Sequence, residues 1–260
     1  MKVVILAGGK GTRIFEETKI KPKPLIEIGN LPILVHIMKI YSYYGFKDFI
    51  ICGGYKVDLI KNYFLNLHYN FSDLEIDFKN NSINLINKKK TIPDWNVKVI
   101  DTGAETLTGG RLKKIKKYFG KNEDFFMTYG DGVSDINLKN LLKFHKKNNK
   151  QATMSVFRPT GQFGKVNFNQ AKTINKFVEK PKKGDFWINI GFFVLNSQIF
   201  NLIKGSNDIF EDRVMQALIK KKQLSAYNHK SFWKSMDSMS DKLFLEKLWN
   251  SKAPWKIWND

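Results

Sequence analysis

The sequence has a single cysteine, Cys52, among its 260 residues, and it lacks any long uninterrupted apolar run. One cysteine excludes an internal disulfide framework, and this suits a reducing compartment. No stretch approaches the roughly 18 consecutive apolar residues that a membrane span needs. The apolar start at residues 3–7 is too short for a signal peptide. We therefore expect a cytoplasmic protein that does not enter a membrane, with Cys52 as a small buried hydrophobe.

Arginine is also scarce, since only four of the 44 basic residues are arginine and the other 40 are lysine. With 24 acidic residues the net charge is +20, which favours phosphorylated or polyanionic partners. Nucleic-acid-binding proteins read bases and phosphates through bidentate arginine contacts, so this composition favours a lysine-rich solvated surface instead. A basic RNA- or DNA-binding module stays open as a distant alternative. It predicts tight binding that weakens steeply with salt and needs no small substrate.

Short β-branched or aromatic runs alternate with longer helical patterns in the first two thirds of the chain. Strands are predicted at residues 3–6, 48–52, 97–101, 125–129 and 153–157, and helices at 32–44, 58–67 and 137–147. Later strands are predicted at 165–168, 174–179 and 188–195, and later helices at 210–222 and 242–250. This order predicts a Rossmann-like α/β fold whose mostly parallel mixed sheet is covered on both faces. No linker divides the chain, so we expect one domain, residues 1–260, with an elaborated C-terminal half.

The first predicted strand leads into a glycine-rich loop, Leu-Ala-Gly-Gly-Lys-Gly-Thr-Arg, at residues 6–13. Closely spaced glycines after a strand allow backbone N–H groups to approach a phosphate. The loop is neither a Walker A motif nor a dinucleotide fingerprint, because Ile14 stands where the latter needs Gly or Ala. Arg13 ends the loop and Lys23 follows in a proline-stiffened segment, so both cations can reach one polyphosphate. For the loop alone, a plain strand-to-turn connection is the alternative.

A second small-residue loop contains Thr106 and Thr108 and ends in Arg111. Its hydroxyl and backbone groups are suited to a pyrimidine edge or a ribose, with Arg111 as the anchor of a nucleotide. A helix N-cap at Thr108 is the alternative.

An apolar strand delivers Asp131 between Gly130 and Gly132. In open α/β sheets the ligand crevice lies at the carboxyl ends of the strands, so Asp131 is predicted to face the site. A hard oxygen ligand beside a triphosphate is what Mg²⁺ prefers. A turn aspartate that satisfies its own backbone is the alternative. Nearby Asp135 is expected to cap a helix.

Together, Leu-Ala-Gly-Gly-x-Gly-Thr-Arg and the following Lys-Pro-Lys-Pro resemble the signature of the sugar-1-phosphate nucleotidylyltransferases. Stretches at residues 48–56, 101–103, 108–113, 128–132 and 253–256 resemble, more narrowly, the members that use CTP and α-D-glucose 1-phosphate. The resemblance implies a glycosyltransferase-A-like fold, with sugar binding and oligomerisation in the C-terminal region. It also implies formation of CDP-glucose and pyrophosphate with Mg²⁺, in a homo-oligomer that supplies bacterial surface polysaccharide. A relative that uses UTP or dTTP is the nearer alternative, because pyrimidine choice depends on a few hydrogen bonds.

The resemblance also implies roles for individual residues. Nucleotide contacts are expected at Leu6, Ala7, Gly8, Gly9, Lys10, Gly11, Thr12, Arg13, Lys23, Thr106, Arg111 and Gly130. The catalytic cations are expected to be Arg13 and Lys23, and the metal ligands Asp131 and Asp237. Sugar phosphate contacts are expected at Glu179, Lys180, Asn189 and Gly191.

The sequence departs from the family pattern at two places. Ile190 stands where the family often has glycine, and Ser238 and Ser240 stand where threonine and arginine are more usual. These departures concern sugar selectivity and turnover rather than the metal ligands. Near the end of the chain, Trp249, Trp255 and Trp258 are expected to dock the terminus or a neighbouring subunit.

Overall fold

The structure is a computed structural model that describes residues 1–70, 72–86, 93–159, 165–168, 172–178 and 186–259. The strands are β1 Lys2–Ala7, β2 Glu27–Ile28, β3 Leu31–Pro32, β4 Asp48–Gly53, β5 Asp73–Asp77, β6 Ser82–Ile86, β7 Asn96–Asp101, β8 Asp124–Tyr129, β9 Gly132–Ser134, β10 Ala152–Phe157, β11 Lys165–Phe168, β12 Ile174–Val178, β13 Ile188–Asn196, β14 Leu224–Asn228 and β15 Trp233–Ser235. The helices are α1 Phe15–Thr18, α2 Ile33–Tyr43, α3 Val57–Leu65, α4 Leu67–Asn70, α5 Thr108–Ile115, α6 Leu138–Asn148, α7 Met215–Lys220 and α8 Met239–Trp249. A π-helical turn covers Phe210–Val214 and leads into α7.

The central sheet has the strand order β14-β10-β13-β8-β1-β4-β7. β1 lies between β4 and β8 and is parallel to both, and β7 is parallel to β4. β13 is antiparallel to β8 and to β10. The sheet is therefore mixed and mostly parallel, which confirms the predicted fold class. Because β1, β4 and β8 run in the same direction, the segments that follow them meet at one edge of the sheet.

Two apolar clusters cover the two faces of this sheet. Val3 and Ile5 of β1 belong to one cluster, with side chains of α2, α6 and α8. Val4 and Leu6 belong to the other, with side chains of α5 and α7. Successive side chains of a strand point to opposite faces, so a strand that is apolar throughout must be buried on both. The result is a helix–sheet–helix layering with β1 at its centre.

The sequence located the central strands to within a residue or two, but it missed several smaller elements. The hairpin of β5 and β6, the strand β14 and the short pair of β9 and β15 were not predicted. The predicted helix at 242–250 starts earlier, at Met239, because Ser238 and Asp241 form a capping box. Among the described residues, no helix is both long and apolar enough to cross a membrane.

The prediction that Asp135 caps a helix is wrong. α6 begins after Asn137, whose side chain accepts a hydrogen bond from the backbone N–H of Asn140. Asp135 instead accepts hydrogen bonds from the hydroxyl of Ser231 and the backbone N–H of Phe232. Asp135 therefore attaches the segment that leads into β15 to the end of β9, through hydrogen bonds between residues almost a hundred positions apart.

The C-terminal tryptophans pack around His36 of α2. Trp255 is fully buried, and its indole N–H donates to Nδ1 of His36 across 3.3 Å. Nε2 of His36 donates to the carbonyl of Ile28 across 2.9 Å. Because one ring nitrogen donates and the other accepts, this arrangement requires the neutral imidazole. Burial lowers the pKa of His36 from 6.5 to about 4.

We expect acid to weaken the fold through His36. The folded group titrates near pH 4 and the unfolded group near 6.5, so the unfolded chain binds more protons between these values. The free energy of unfolding should therefore fall as the pH falls from 6.5 towards 4, by up to about 1.4 kcal/mol per pH unit. Urea denaturation of the wild type and His36→Gln at several pH values measures this contribution. The variant should have the flatter profile, and parallel profiles would contradict the assignment.

Candidate active site

A cavity of about 670 Å³ lies where β1 and β8 end. Its wall includes Leu6, Ala7, Gly8, Gly9, Lys10, Gly11, Thr12, Arg13, Lys23, Thr106, Thr108, Arg111, Tyr129, Gly130, Asp131, Asn189, Ile190 and Asp237. Most of the residues singled out in the sequence thus surround one cavity. Gly191 follows Ile190 and contacts Tyr129 rather than forming part of this wall. Glu179 and Lys180 lie outside the described residues.

The glycine-rich loop leaves β1 and turns sharply at Gly11. Gly11 has a left-handed backbone (φ 65°) and precedes the short 3₁₀ turn Thr12–Ile14. A Cβ at Gly8 would lie 2.1 Å from Nη1 of Arg111, whereas Gly9 has no atom within 4 Å of its Cβ position. Gly8 is therefore needed for packing and Gly11 for its conformation, while Gly9 leaves open space beside the backbone. Open backbone of this kind is what a phosphate cradle requires.

Lys23 joins two carboxylates that are far apart in the sequence. Its Nζ lies 2.7 Å from Oδ2 of Asp131 and 2.8 Å from Oδ1 of Asp237. Arg13 contributes a second cation, with Nη2 at 2.9 Å from the same oxygen of Asp237. Lys23 is only 8% exposed, and burial alone would lower its pKa, but the two carboxylates outweigh burial and raise it. The ammonium is therefore held in its charged form.

The pairing of β9 with β15 explains how the two aspartates meet. Asp131 immediately precedes β9, and Asp237 follows β15 after one intervening residue, Met236. The strands run antiparallel, with Gly132 opposite Ser235. The backbone N–H of Met236 then donates to the carbonyl of Asp131 across 2.8 Å. Lys23, Arg13 and Ser235 lower the pKa of Asp237 against the opposing effect of burial, so this carboxylate is ionised.

The two aspartates fit a divalent metal that is shared with a bound phosphate. Mg²⁺ is commonly held by one or two protein carboxylates, with substrate phosphate and water oxygens as the other ligands. Within the part of the chain that the structure describes, no group of three or more His, Cys, Asp or Glu side chains is placed to hold a metal. The donor set at Asp131 and Asp237 therefore suits a metal that enters with a nucleotide, rather than a metal held by protein alone.

Arg111 is buried and braces the carboxyl ends of three strands. Its guanidinium donates to the carbonyls of Gly8, Gly53 and Gly103, which follow or end β1, β4 and β7. It also donates to the hydroxyl of Thr102 and to the carbonyl of Ala104. A planar group with several fixed donors suits this role in a way that a lysine does not. Arg111 also lines the cavity, and its contact with a nucleotide stays a prediction.

The N-terminus of α5 differs from the helix cap considered for Thr108. The N-cap position is Leu107, which makes no side-chain cap. The hydroxyl of Thr108 accepts from the backbone N–H of Phe210 and donates to Glu211 across 2.6 Å. Thr106 is buried, and its hydroxyl accepts from Nζ of Lys114 across 3.2 Å. Both threonines are thus fixed by tertiary contacts at the cavity wall.

Asn189 and Ile190 line the cavity together with Tyr129, which the sequence did not single out, and Gly191 lies behind them. The side-chain oxygen of Asn189 accepts from the backbone N–H of Gly191, and its amide donates to the hydroxyl of Tyr129. Gly191 has φ of 78°, and a Cβ there would lie 2.5 Å from the Tyr129 ring. Glycine is therefore required at this position by both conformation and packing.

A family profile described as Nucleotidyl transferase matches residues 2–260. The chain is 46% identical over 259 residues to glucose-1-phosphate cytidylyltransferase of Salmonella typhi, with 99% of this chain and all of that one covered. The chain belongs to the nucleotidyl transferase family. A Bacillus subtilis protein named probable glucose-1-phosphate cytidylyltransferase is 41% identical over 262 residues, with 99% of this chain and 100% of that one covered.

A solved structure shares the fold of this nucleotidyl transferase at low sequence identity. HddC from Yersinia pseudotuberculosis, crystallised with GMP-PN, superposes with a TM-score of 0.68 at 21% identity, covering 95% of this chain and 99% of that one. At this level of identity the similarity concerns the fold alone. It agrees with the mixed α/β sheet.

We expect Arg111→Lys to lower stability as well as activity. Lysine cannot donate to the carbonyls of Gly8, Gly53 and Gly103 together, and each hydrogen bond lost from a charged donor costs about 1.5–3 kcal/mol. Urea denaturation should therefore show a loss of about 2 kcal/mol or more. Arg213→Lys, at an exposed arginine, is the matched control and should leave stability nearly unchanged. If Arg111→Lys kept wild-type stability, the bracing role would be excluded.

Proposed function

We propose that this chain transfers a cytidylyl group from CTP to α-D-glucose 1-phosphate, giving CDP-glucose and pyrophosphate. The full-length identity of 46% to an enzyme of that name supports the reaction. The convergence of Lys23, Asp131 and Asp237 beside the glycine-rich loop carries the mechanism. A buried cation and two carboxylates next to open loop backbone form a site suited to a triphosphate and its metal.

The chemistry needs charge neutralisation and positioning more than proton transfer. The attacking oxygen of the sugar phosphate is already anionic, so no general base is required. It attacks the α-phosphorus of CTP in line, the bond to the β-phosphate oxygen breaks, and pyrophosphate leaves with the electron pair. Lys23 holds the α-phosphate through its ammonium group. Arg13 and the N–H groups of the loop hold the departing phosphates.

Asp131 and Asp237 hold Mg²⁺ in this proposal, and the bound ion supplies positive charge that offsets the charge of the triphosphate. Asn189 belongs to the sugar end of the cavity, with Gly191 behind it. In this proposal the sugar phosphate is also contacted by Glu179 and Lys180, which lie outside the described residues, with Lys180 on the phosphate group. Residence in the cytoplasm, assembly into a homo-oligomer and supply of surface polysaccharide remain predictions that come from the family resemblance.

Lys23→Ala and Asp131→Ala should fold but lose most turnover. Removing one preorganised charge contact from the transition state costs about 3 kcal/mol, so kcat should fall roughly a hundredfold. The matched control is Lys21→Ala. Lys21 lies in the same segment as Lys23, but it pairs with Glu27 and not with Asp131 or Asp237. Release of pyrophosphate measures the rate, and urea denaturation checks the fold. Wild-type turnover in Lys23→Ala or Asp131→Ala would refute the role of that residue.

A matrix of nucleotides and sugar phosphates distinguishes the proposal from its nearer alternative. CTP, UTP, dTTP and GTP are each paired with glucose 1-phosphate and with mannose 1-phosphate, with Mg²⁺ and after its removal by a chelator. We expect CTP with glucose 1-phosphate to give the highest kcat/KM, and chelation to abolish product. A higher kcat/KM with UTP or dTTP would replace the cytidylyl assignment, and full activity without a divalent metal would exclude the metal role.

A further inference from the structure

Glu211 connects two walls of the cavity through two hydroxyl groups. One carboxylate oxygen, Oε1, accepts from the hydroxyl of Tyr129 across 2.5 Å. The other, Oε2, accepts from the hydroxyl of Thr108 across 2.6 Å. Tyr129 and Thr108 both line the cavity, and they belong to β8 and α5 respectively. Both oxygens of the half-buried carboxylate are thus used to order side chains of the site.

The hydrogen-bond chain continues from Tyr129 to Asn189. The tyrosine hydroxyl has one proton, which it donates to Glu211, so its oxygen is left to accept from the side-chain amide of Asn189 across 3.2 Å. The carbonyl oxygen of Asn189 accepts from the backbone N–H of Gly191 across 2.8 Å. The direction of each bond, and with it the orientation of Asn189, follows from Glu211.

The backbone around Glu211 forms an unusual turn that is held by further hydrogen bonds to α5. Glu211 lies in the π-helical turn Phe210–Val214, a geometry that is rare and that is frequently found at functional sites. The backbone N–H of Phe210 donates to the hydroxyl of Thr108, which leaves the threonine proton for Glu211. Just before the turn, the carbonyl of Asp208 accepts from the backbone N–H groups of Gly109 and Gly110. These hydrogen bonds fix the position of the π-helical turn, and with it the backbone of Glu211, relative to α5.

We propose that Glu211 is a positioning residue for sugar recognition, which orders Tyr129 and Asn189 against the hydroxyl groups of the sugar. This inference rests on the proposed function. The cavity-lining side chains in this hydrogen-bond network are those of Tyr129, Thr108 and Asn189. Unlike Lys23 and Arg13, they are uncharged hydroxyl and amide groups, which suit a polyhydroxylated ring rather than a phosphate. A hydrogen bond from a hydroxyl to a carboxylate is stronger than one between neutral groups. The carboxylate of Glu211 can therefore fix the orientations of Tyr129 and, through it, Asn189.

The experiment compares Glu211→Gln with Asp212→Asn. Glutamine keeps the shape of the side chain, but its NH₂ group cannot accept a hydrogen bond from a hydroxyl. One of the two hydrogen bonds, to Tyr129 or to Thr108, is therefore lost. We expect kcat/KM for glucose 1-phosphate to fall roughly tenfold, with KM for CTP changed less than about twofold. Discrimination against galactose 1-phosphate, which differs at one hydroxyl, should fall as well. Asp212 lies next to Glu211 in the same π-helical turn and is exposed, so Asp212→Asn removes the same charge and should behave as wild type.

Tyr129→Phe tests whether Glu211 acts through the phenol. This variant should also lose discrimination between the two sugar phosphates, and Tyr129→Phe/Glu211→Gln should be no worse than the more impaired single variant. Fully additive losses, or unchanged sugar discrimination in both single variants, would overturn the proposal. If Glu211→Gln failed to fold in urea denaturation, Tyr129→Phe alone would decide, because loss of its hydroxyl should reduce the same discrimination.

The controls separate this inference from the proposed function. If the wild type made no CDP-glucose from CTP and glucose 1-phosphate, the proposed function would fail, and the inference with it. If the wild type and Asp212→Asn made CDP-glucose while Glu211→Gln retained the wild-type KM and sugar discrimination, only the role of Glu211 would fail. A general structural role would lower stability and affect both substrates equally, and that outcome would also overturn it.

Discussion

The site depends on the ammonium group of Lys23, which lies buried between the carboxylates of Asp131 and Asp237. A buried cation is costly unless it is paired and hydrogen-bonded, and removing one partner from such a group leaves an uncompensated charge. The same three groups combine a positive charge that a phosphate can use with two oxygens that a metal can use. Around them, the glycine-rich loop supplies open backbone and Arg111 fixes the strand ends from which that loop and its neighbours emerge. In the proposed function, charge balance in the resting protein and affinity for a triphosphate therefore arise from one arrangement.

Much of this arrangement could be predicted from local sequence. The buried strands have continuous apolar runs, and the loop at residues 6–13 has a spacing of glycines that indicates close approach to a phosphate. Asp131 could be predicted as well, because it directly follows a buried strand at the edge of the sheet where ligands bind. In each of these cases the signal lies within about ten residues of chain, where spacing alone fixes geometry.

The remainder depends on contacts between distant parts of the chain. No spacing pairs Asp131 with Asp237, whose meeting requires the short strands β9 and β15 to find each other. The same applies to Asp135, which resembles a helix cap locally but bonds to Ser231 and Phe232. Glu211 gave no signal either, because a glutamate at the start of a predicted helix is ordinary, and only the π-helical turn directs it towards Tyr129 and Thr108. Asp237 was therefore expected only from the family resemblance, Asp135 was assigned wrongly from its local pattern, and Glu211 was missed.

The ladder between β9 and β15 also has a consequence for the order of folding. A chain that had joined β1, β4 and β8 but not yet added β15 would already possess the glycine-rich loop, Lys23 and Asp131, yet it would lack the second carboxylate. Asp237 comes later in the sequence than these groups, so its carboxylate is the last of them to be synthesised. In the proposed function, an intermediate that has not yet added β15 lacks one of the two metal ligands and does not consume nucleotide.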